Sequence, residues 1–405
     1  MTTHASRIMA LEAKHILQTY KRIPVMFVRG NGSYLIDDEG DEYLDLVSGI
    51  GVASLGHANA ALADAISDQA NHLLHTSNLY FHPLQAEVGL RLSRLSGLPR
   101  AFFCNSGTEA VEACLKFARR YWHTRGNADR YEIVAFDGAF HGRTFGSLSV
   151  TSGTSYRQPF APLLPGVCFV SPNNPDALAH KITAHTAAVI VEPIQGEGGV
   201  RRIPQATAAV LRDICDKTGT LLIADEVQCG LGRTGKPFFS ADLGLKPDLM
   251  ALGKSLGSGI PIGTALMSEA VADTIAFGDH GSTYGGNLLA CRAALVFLDA
   301  LENGLQERVK TASHRLRAGL EKFVRKSSAI SEVRGAGLMC GIEVEPSVAE
   351  NIVATALNQK LLVNRTAETV VRLLPPLNIS DEYIDEALVR LQAAFKEAGA
   401  DVSPH

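Results

Sequence analysis

No C-x-x-C pair occurs among the seven cysteines, at positions 104, 114, 168, 215, 229, 291 and 340 of this 405-residue chain, and their number is odd. That scatter argues against a zinc ribbon or a disulfide framework and fits reduced thiols of a cytoplasmic protein, mostly small core hydrophobes. No apolar run approaches the length of a membrane span. The first twenty residues hold Arg7, Glu12 and Lys14 in an amphipathic pattern and lack the apolar stretch of a secretory signal. A basic stripe is missing too: 38 Lys and Arg against 42 Asp and Glu give a formal net charge of −4, which offers no electrostatic footprint for nucleic acid. Neither an internal repeat nor a low-complexity tract nor a long flexible linker interrupts the chain. What remains is 46% hydrophobic and 20% charged, an ordinary soluble globular composition with length for roughly two or three domains. A small-molecule partner is expected.

Between about residues 100 and 265 short apolar runs alternate with helical stretches, which predicts an α/β fold with a mostly parallel sheet covered by helices. Strands are expected at 101–104, 132–136, 167–171, 187–193, 220–225, 248–253 and 263–268. Ligands bind beyond the carboxyl ends of strands in such sheets, and most of the unusual residues fall there. The two ends read differently. Residues 23–50 suit a small antiparallel hairpin, 288–326 a long helical region, and 333–345 and 370–375 further strands. From Ser380 to Glu397 the apolar positions Ile384, Leu388, Leu391 and Phe395 keep helical spacing, with Asp381 and Glu382 suited to the first turn. The simplest arrangement is a large domain over 56–290 and a smaller α+β domain built from both termini, 1–55 and 291–405.

Lys254 follows the apolar run Leu249-Met250-Ala251-Leu252-Gly253 and precedes a glycine-rich stretch, so it sits at a strand end where backbone can approach a ligand. Desolvation there disfavours the ammonium and exposes the nucleophilic amine that Schiff-base formation needs; a solvated strand terminus is the plainer alternative. Asp225 ends another apolar run. A buried acid at that place calls for a cationic partner, such as the protonated ring nitrogen of pyridoxal phosphate, or else caps the next loop.

Four loops complete the set. Ser106 and Glu109 form a capping-box pattern, and Gly107 lets backbone amides approach an anion, which makes either a phosphate site or a plain capped helix. In Phe140-His141-Gly142-Arg143, Phe140 can cover a flat ring and Arg143 can grip a carboxylate; core packing and a surface ion pair are the alternatives, and His141 stands between cofactor-site and structural roles. Glu192-Pro193-Ile194-Gln195-Gly196-Glu197-Gly198-Gly199 ends a strand in a flexible loop, with Glu197 either poised to move or simply solvated. Residues 280–287 form a hydroxyl-bearing glycine loop able to supply further phosphate contacts. Gly230-Leu231-Gly232-Arg233-Thr234-Gly235 spells a dinucleotide fingerprint, but Pro237 stands where its helix should be under way, so a tight loop is expected.

In this order the motifs Ser106-Gly107-Thr108-Glu109-Ala110, Phe140-His141-Gly142-Arg143, Glu192 to Gly199, Asp225-Glu226-Val227-Gln228, Lys254 and Gly281-Ser282-Thr283-Tyr284-Gly285-Gly286-Asn287 resemble the class III pyridoxal-phosphate aminotransferases over nearly the whole chain. The resemblance implies a fold type I homodimer with shared active sites, pyridoxal 5'-phosphate as cofactor, small-molecule substrates, and neither nucleic acid nor membrane as partner. Position by position it implies that Lys254 is the Schiff-base lysine, that Asp225 pairs with the pyridine nitrogen, and that Gly107 and Thr108, with Ser106 beside them, hold the phosphate. Phe140 is then expected to stack on the ring, with Val227 and Gln228 lining its other side and its hydroxyl edge. Thr283 is expected to reach the phosphate in the partner's site, Ser282 to lie near the substrate, and Arg143 to bind the substrate α-carboxylate. Arg372 is expected to pair with Glu197, which neutralises it in one half-reaction and swings away in the other.

The implied reaction moves the terminal amino group of N-acetylornithine to 2-oxoglutarate. Succinylornithine, succinyl-diaminopimelate, ornithine and 4-aminobutyrate are alternative donors; an aminomutase and a non-catalytic protein on the same scaffold are alternatives of other kinds. Two places depart from the family pattern: Val111 stands where asparagine is usual, and Leu288-Leu289 replaces an asparagine-or-leucine and proline pair.

Overall fold

Runs of Val, Ile, Leu and Ala too short for helices build the central sheet, as strands covered on both faces require. The computed structural model describes residues 4–400 and Val402. Its seven-stranded sheet has the order Arg100–Cys104, Gly263–Met267, Leu249–Leu252, Leu221–Asp225, Thr186–Val191, Glu132–Phe136, Val167–Val170. Neighbours run parallel except Gly263–Met267, which is antiparallel to both of its own. Every residue of the central strand Thr186–Val191 is buried. Alternate side chains enter two different cores: Ile133, Ile190 and Ile223 pack with Cys114, Phe117 and Ala118 of helix Gly107–Thr124, while Val134, Val189 and Leu222 pack with Ala208, Leu211 and Cys215 of helix Gln205–Thr218. The carboxyl ends of the parallel strands therefore gather along one edge, and the register of Asp225 opposite Ala251 brings Lys254 close to Asp225.

The smaller domain joins both ends of the chain. Strands Phe27–Asn31, Tyr34–Asp37 and Glu42–Asp45 form the expected antiparallel ribbon, and Leu361–Leu362 adds to it in parallel. A second antiparallel sheet has the order Ile330–Ala336, Met339–Val344, Val370–Leu373, Asn364–Thr366, so the expected strand at 333–345 is a hairpin that turns at Gly337, where φ is +55°. The helical region expected over 288–326 is broken. Leu288–Ala300 and Gln306–Lys326 are separated by a turn in which Gly304 has φ +106°, a backbone state open to glycine. Helices Ala60–His72, Pro83–Ser96 and Pro346–Asn358 carry none of the motifs and lie outside the sequence expectations. The Gly230 to Gly235 stretch is a set of tight turns closed by Leu231 N–H to Pro237 at 2.6 Å and Gly235 N–H to Gly232 at 2.9 Å, with no helix after it.

Candidate active site

A cavity of about 250 Å³ opens at the carboxyl edge of the sheet. It is lined by Gly107, Thr108, Phe140, His141, Gly142, Arg143, Glu192, Glu197, Asp225, Val227, Gln228 and Lys254. These residues come from five strand ends, so the topology gathers what the sequence scatters.

At the base, Asp225 is 5% exposed, and its Oδ2 lies 2.7 Å from Nδ1 of His141, which is 3% exposed. Its Oδ1 accepts from the Val227 backbone N–H at 3.1 Å. His141 is thus the hydrogen-bond partner of the acid and lines the same cavity. Behind it, the Glu192 carboxylate accepts from the backbone N–H groups of Phe140 at 2.7 Å and Gly196 at 3.0 Å. Burial pushes the Glu192 carboxyl up to about 7, with the Asp225 charge adding and His141 opposing. Sequence reasoning gave Glu192 no role, although it ends a buried strand by the same logic that singles out Asp225.

Lys254 is partly open to the cavity and otherwise enclosed. Burial lowers its ammonium below the usual 10.5, more than Asp225 raises it. Its backbone has φ +41°, in the left-handed region that costs a non-glycine residue of order 1 kcal/mol and is found at sites where structure over-determines the position. Among the described residues its amine makes no hydrogen bond, which leaves the nucleophile uncommitted.

The helix Gly107–Thr124 starts where the capping pattern placed it. Ser106 Oγ accepts from the Glu109 N–H at 3.3 Å, and Glu109 reaches back to the Asn105 N–H at 2.6 Å, one residue earlier than a standard box. Space at Gly107 is closed: a Cβ would sit 2.6 Å from Val227 Cγ1, so only glycine lets the helix end come this near the cavity. The Thr108 hydroxyl is engaged within the protein. It accepts from the N–H groups of Arg143 at 3.1 Å and Thr144 at 3.3 Å, and lies 2.6 Å from Ser147 Oγ. The orphan backbone N–H groups of this helix end are what it offers an anion.

Phe140 forms part of the wall, and the exposed Arg143 guanidinium lies 5.4 Å from its ring and 4.0 Å from that of Tyr156. Behind the lining residues Glu197 and Gln228, Arg372, with a side chain 1% exposed, donates from Nη1 to Glu197 Oε1 at 2.6 Å. The same Nη1 reaches Gln228 Oε1 at 3.2 Å, and Nε reaches Asn364 Oδ1 at 3.3 Å. The loop that carries Glu197 is less free than its glycines suggested. Ile194–Gln195 and Arg201–Arg202 pair as a short ribbon, and Gly196, Gly199 and Val200 are buried, because the smaller domain packs against the loop.

Ser282 and Thr283 lie elsewhere, lining a separate hollow with Ser77, Asn78, Leu79 and Phe103. Ser282 Oγ accepts from the Gly285 N–H at 3.0 Å and lies 3.3 Å from Asn105 Nδ2. Among the described residues no group of three or more His, Cys, Asp or Glu is placed to hold a metal ion, and no helix is long and apolar enough to cross a membrane.

A lysine and an acid on adjacent strand ends, with a helix N-terminus facing them and Arg143 in the wall, suit Schiff-base chemistry on a phosphate-bearing cofactor. Residues 16–395 match the family Aminotransferase class-III, and the chain belongs to it. Acetylornithine aminotransferase of Methanocaldococcus jannaschii is 43% identical over 389 residues, 96% of this chain and 97% of that protein. The enzyme of the same name from Aquifex aeolicus is 44% identical over 375 residues, 92% of this chain and 98% of that one. Among solved structures, ornithine aminotransferase from Toxoplasma gondii superposes with a TM-score of 0.94 at 30% identity, covering 98% of this chain and 96% of that one. N-acetylornithine aminotransferase from Stenotrophomonas maltophilia gives 0.83 at 34% identity, with 96% and 98% covered. Pyridoxal phosphate, the cofactor of such enzymes, fits the residues present: the close approach at Gly107 leaves helix-end N–H groups that would serve a phosphate, and the His141-held acid would suit a protonated ring nitrogen.

Proposed function

We propose that this chain transfers the terminal amino group of N-acetylornithine to 2-oxoglutarate, giving N-acetylglutamate 5-semialdehyde and glutamate, a step of arginine biosynthesis. The observation that carries the reading is the unequal pair of arginines: Arg143 is exposed, whereas Arg372 is buried and neutralised by Glu197. One site can then accept two substrates. Arg143 takes the α-carboxylate of either; the closed Glu197–Arg372 pair suits the neutral acyl-amide end of the donor, and its opening frees a guanidinium for the second carboxylate of 2-oxoglutarate. The names of the sequence relatives support this donor.

Bound pyridoxal phosphate supplies the electron sink that takes up and returns the amino group. The protein provides the rest. Lys254 Nζ, eased toward its neutral form by burial, would be the amine that holds the cofactor and the base that carries the substrate's proton. Asp225 would pair with the ring nitrogen, and His141 holds Asp225 in place. Phe140 and Val227 would confine the cofactor's ring, Gln228 would serve its hydroxyl edge, and Ser106, Gly107 and Thr108 would hold its phosphate. We assign Thr283 to the phosphate of the partner's site and Ser282 to the substrate's surroundings. A homodimer is supported by exposed Leu79, Tyr80, Phe81, Phe277 and Tyr284 near that loop, and by helix His4–His15, none of whose residues is buried. The cytoplasm is the proposed location.

Replacing Lys254 by Ala is expected to abolish turnover and visible-band formation while the protein still retains pyridoxal phosphate through its phosphate contacts. Near-wild-type turnover by this variant would overturn the assignment.

A further inference from the structure

The strand Asn364–Thr366 brackets both members of the Glu197–Arg372 pair. It runs antiparallel to Val370–Leu373, with Asn364 opposite Arg372 and Thr366 opposite Val370. Asn364 orients the arginine through its contact to Nε. Thr366, 6% exposed, donates its hydroxyl to the Glu197 backbone carbonyl at 2.6 Å and lies 3.3 Å from Glu197 Oε2. The far side of the same loop is fixed separately, where Arg334 Nε donates to the Gly199 carbonyl at 2.7 Å. Between these two anchors the Glu197 main chain has little room, and the carboxylate meets Arg372 in the side-chain conformation seen.

We propose that Thr366 is a positioning residue that sets how strongly Glu197 prefers Arg372, and so tunes the enzyme between a neutral-tailed donor and a dicarboxylate acceptor. This rests on the roles given above to Glu197 and Arg372. The hydroxyl has one proton and two acceptors on a single residue. Its short bond to the carbonyl takes that proton and fixes the backbone from which the carboxylate reaches the arginine. Without the hydroxyl a half-buried carbonyl loses its donor and the loop relaxes toward other partners. Glu197 then spends less time on Arg372, and a second carboxylate meets less competition for the guanidinium.

Thr366→Val keeps the shape of the side chain and removes the donor; Thr366→Ser keeps the donor. The test titrates holoenzyme with glutarate, a dicarboxylate with no oxo group to react, by calorimetry, and measures kcat/KM for each half-reaction. Thr366→Val is expected to bind glutarate about three- to tenfold more tightly, the worth of one neutral hydrogen bond. The ratio of kcat/KM for N-acetylornithine to that for 2-oxoglutarate should fall by a similar factor, and Thr366→Ser should stay near wild type in both. Thr366→Ala carries the same expectation if the valine variant does not fold. Equal losses in both half-reactions with no gain in glutarate affinity would make Thr366 merely structural and overturn the proposal. Wild-type enzyme that binds no glutarate and turns over neither substrate would instead overturn the underlying function, and the proposal with it.

Discussion

Replacing Glu197 by Gln removes one negative charge from the end of the cavity while keeping the shape of the side chain. Arg372 then faces an amide where it now has a carboxylate 2.6 Å away, and its other partners, Gln228 at 3.2 Å and Asn364 at 3.3 Å, are both neutral. A hydrogen bond to a charged group is worth about 1.5–3 kcal/mol. The Glu197 side chain is 33% exposed, so solvent screening favours the lower end, about 1.5–2 kcal/mol. That corresponds to roughly a 10- to 30-fold change in an equilibrium constant. The direction differs between substrates. The acceptor no longer has to displace a carboxylate, so kcat/KM for 2-oxoglutarate should rise or hold; the donor's neutral tail meets an uncompensated cation, so kcat/KM for N-acetylornithine should fall. Stopped-flow absorbance of each half-reaction gives the two values separately, and their ratio should shift by about tenfold or more. Equal effects on both half-reactions would refute the switch.

Other expectations concern the base of the site. His141→Ala leaves a buried carboxylate oxygen of Asp225 without its partner, which should destabilise the apoprotein by about 1–3 kcal/mol in urea titration and weaken cofactor retention; unchanged stability would detach His141 from Asp225. Gly107→Ala puts a methyl group 2.6 Å from Val227 Cγ1, so a loss of about 1–3 kcal/mol from overpacking and a lower affinity for pyridoxal phosphate are expected from equilibrium dialysis. Because burial lowers Lys254 from 10.5, its neutral fraction rises earlier with pH than that of an exposed lysine. The rate of pyridoxal phosphate uptake by apoprotein should climb and level off below pH 10.5, and levelling above that value would show an unperturbed amine.

The central sheet was legible because its strands are continuous apolar runs with charged residues and glycines at their ends. Asp225 and Lys254 stood out as charged residues closing such runs, and their closeness follows from the register of two parallel strands. Contacts between remote segments left no such mark. His141 and Asp225 are 84 positions apart, and Glu197 and Arg372 are 175 apart; neither pairing has a period or spacing that could reveal it, and the second was reached through family likeness. Glycines around Glu197 suggested a mobile loop because sequence shows local freedom and not the domain that packs on it. The same blindness hid Asn364 and Thr366, ordinary polar residues whose contacts to Arg372 and Glu197 depend on which strand they face. The break at Asn303-Gly304 was readable in principle, since that dipeptide is a turn signal, but the helical pattern on both sides outweighed it.

The most direct test is the visible absorbance of purified holoenzyme on addition of N-acetylornithine alone, followed by 2-oxoglutarate. The band of the lysine-bound cofactor is expected to disappear on the first addition and return on the second, as amino-group transfer in two separate halves requires. A band unmoved by N-acetylornithine would contradict the proposed donor, and the absence of any band after pyridoxal phosphate is supplied would contradict the site itself.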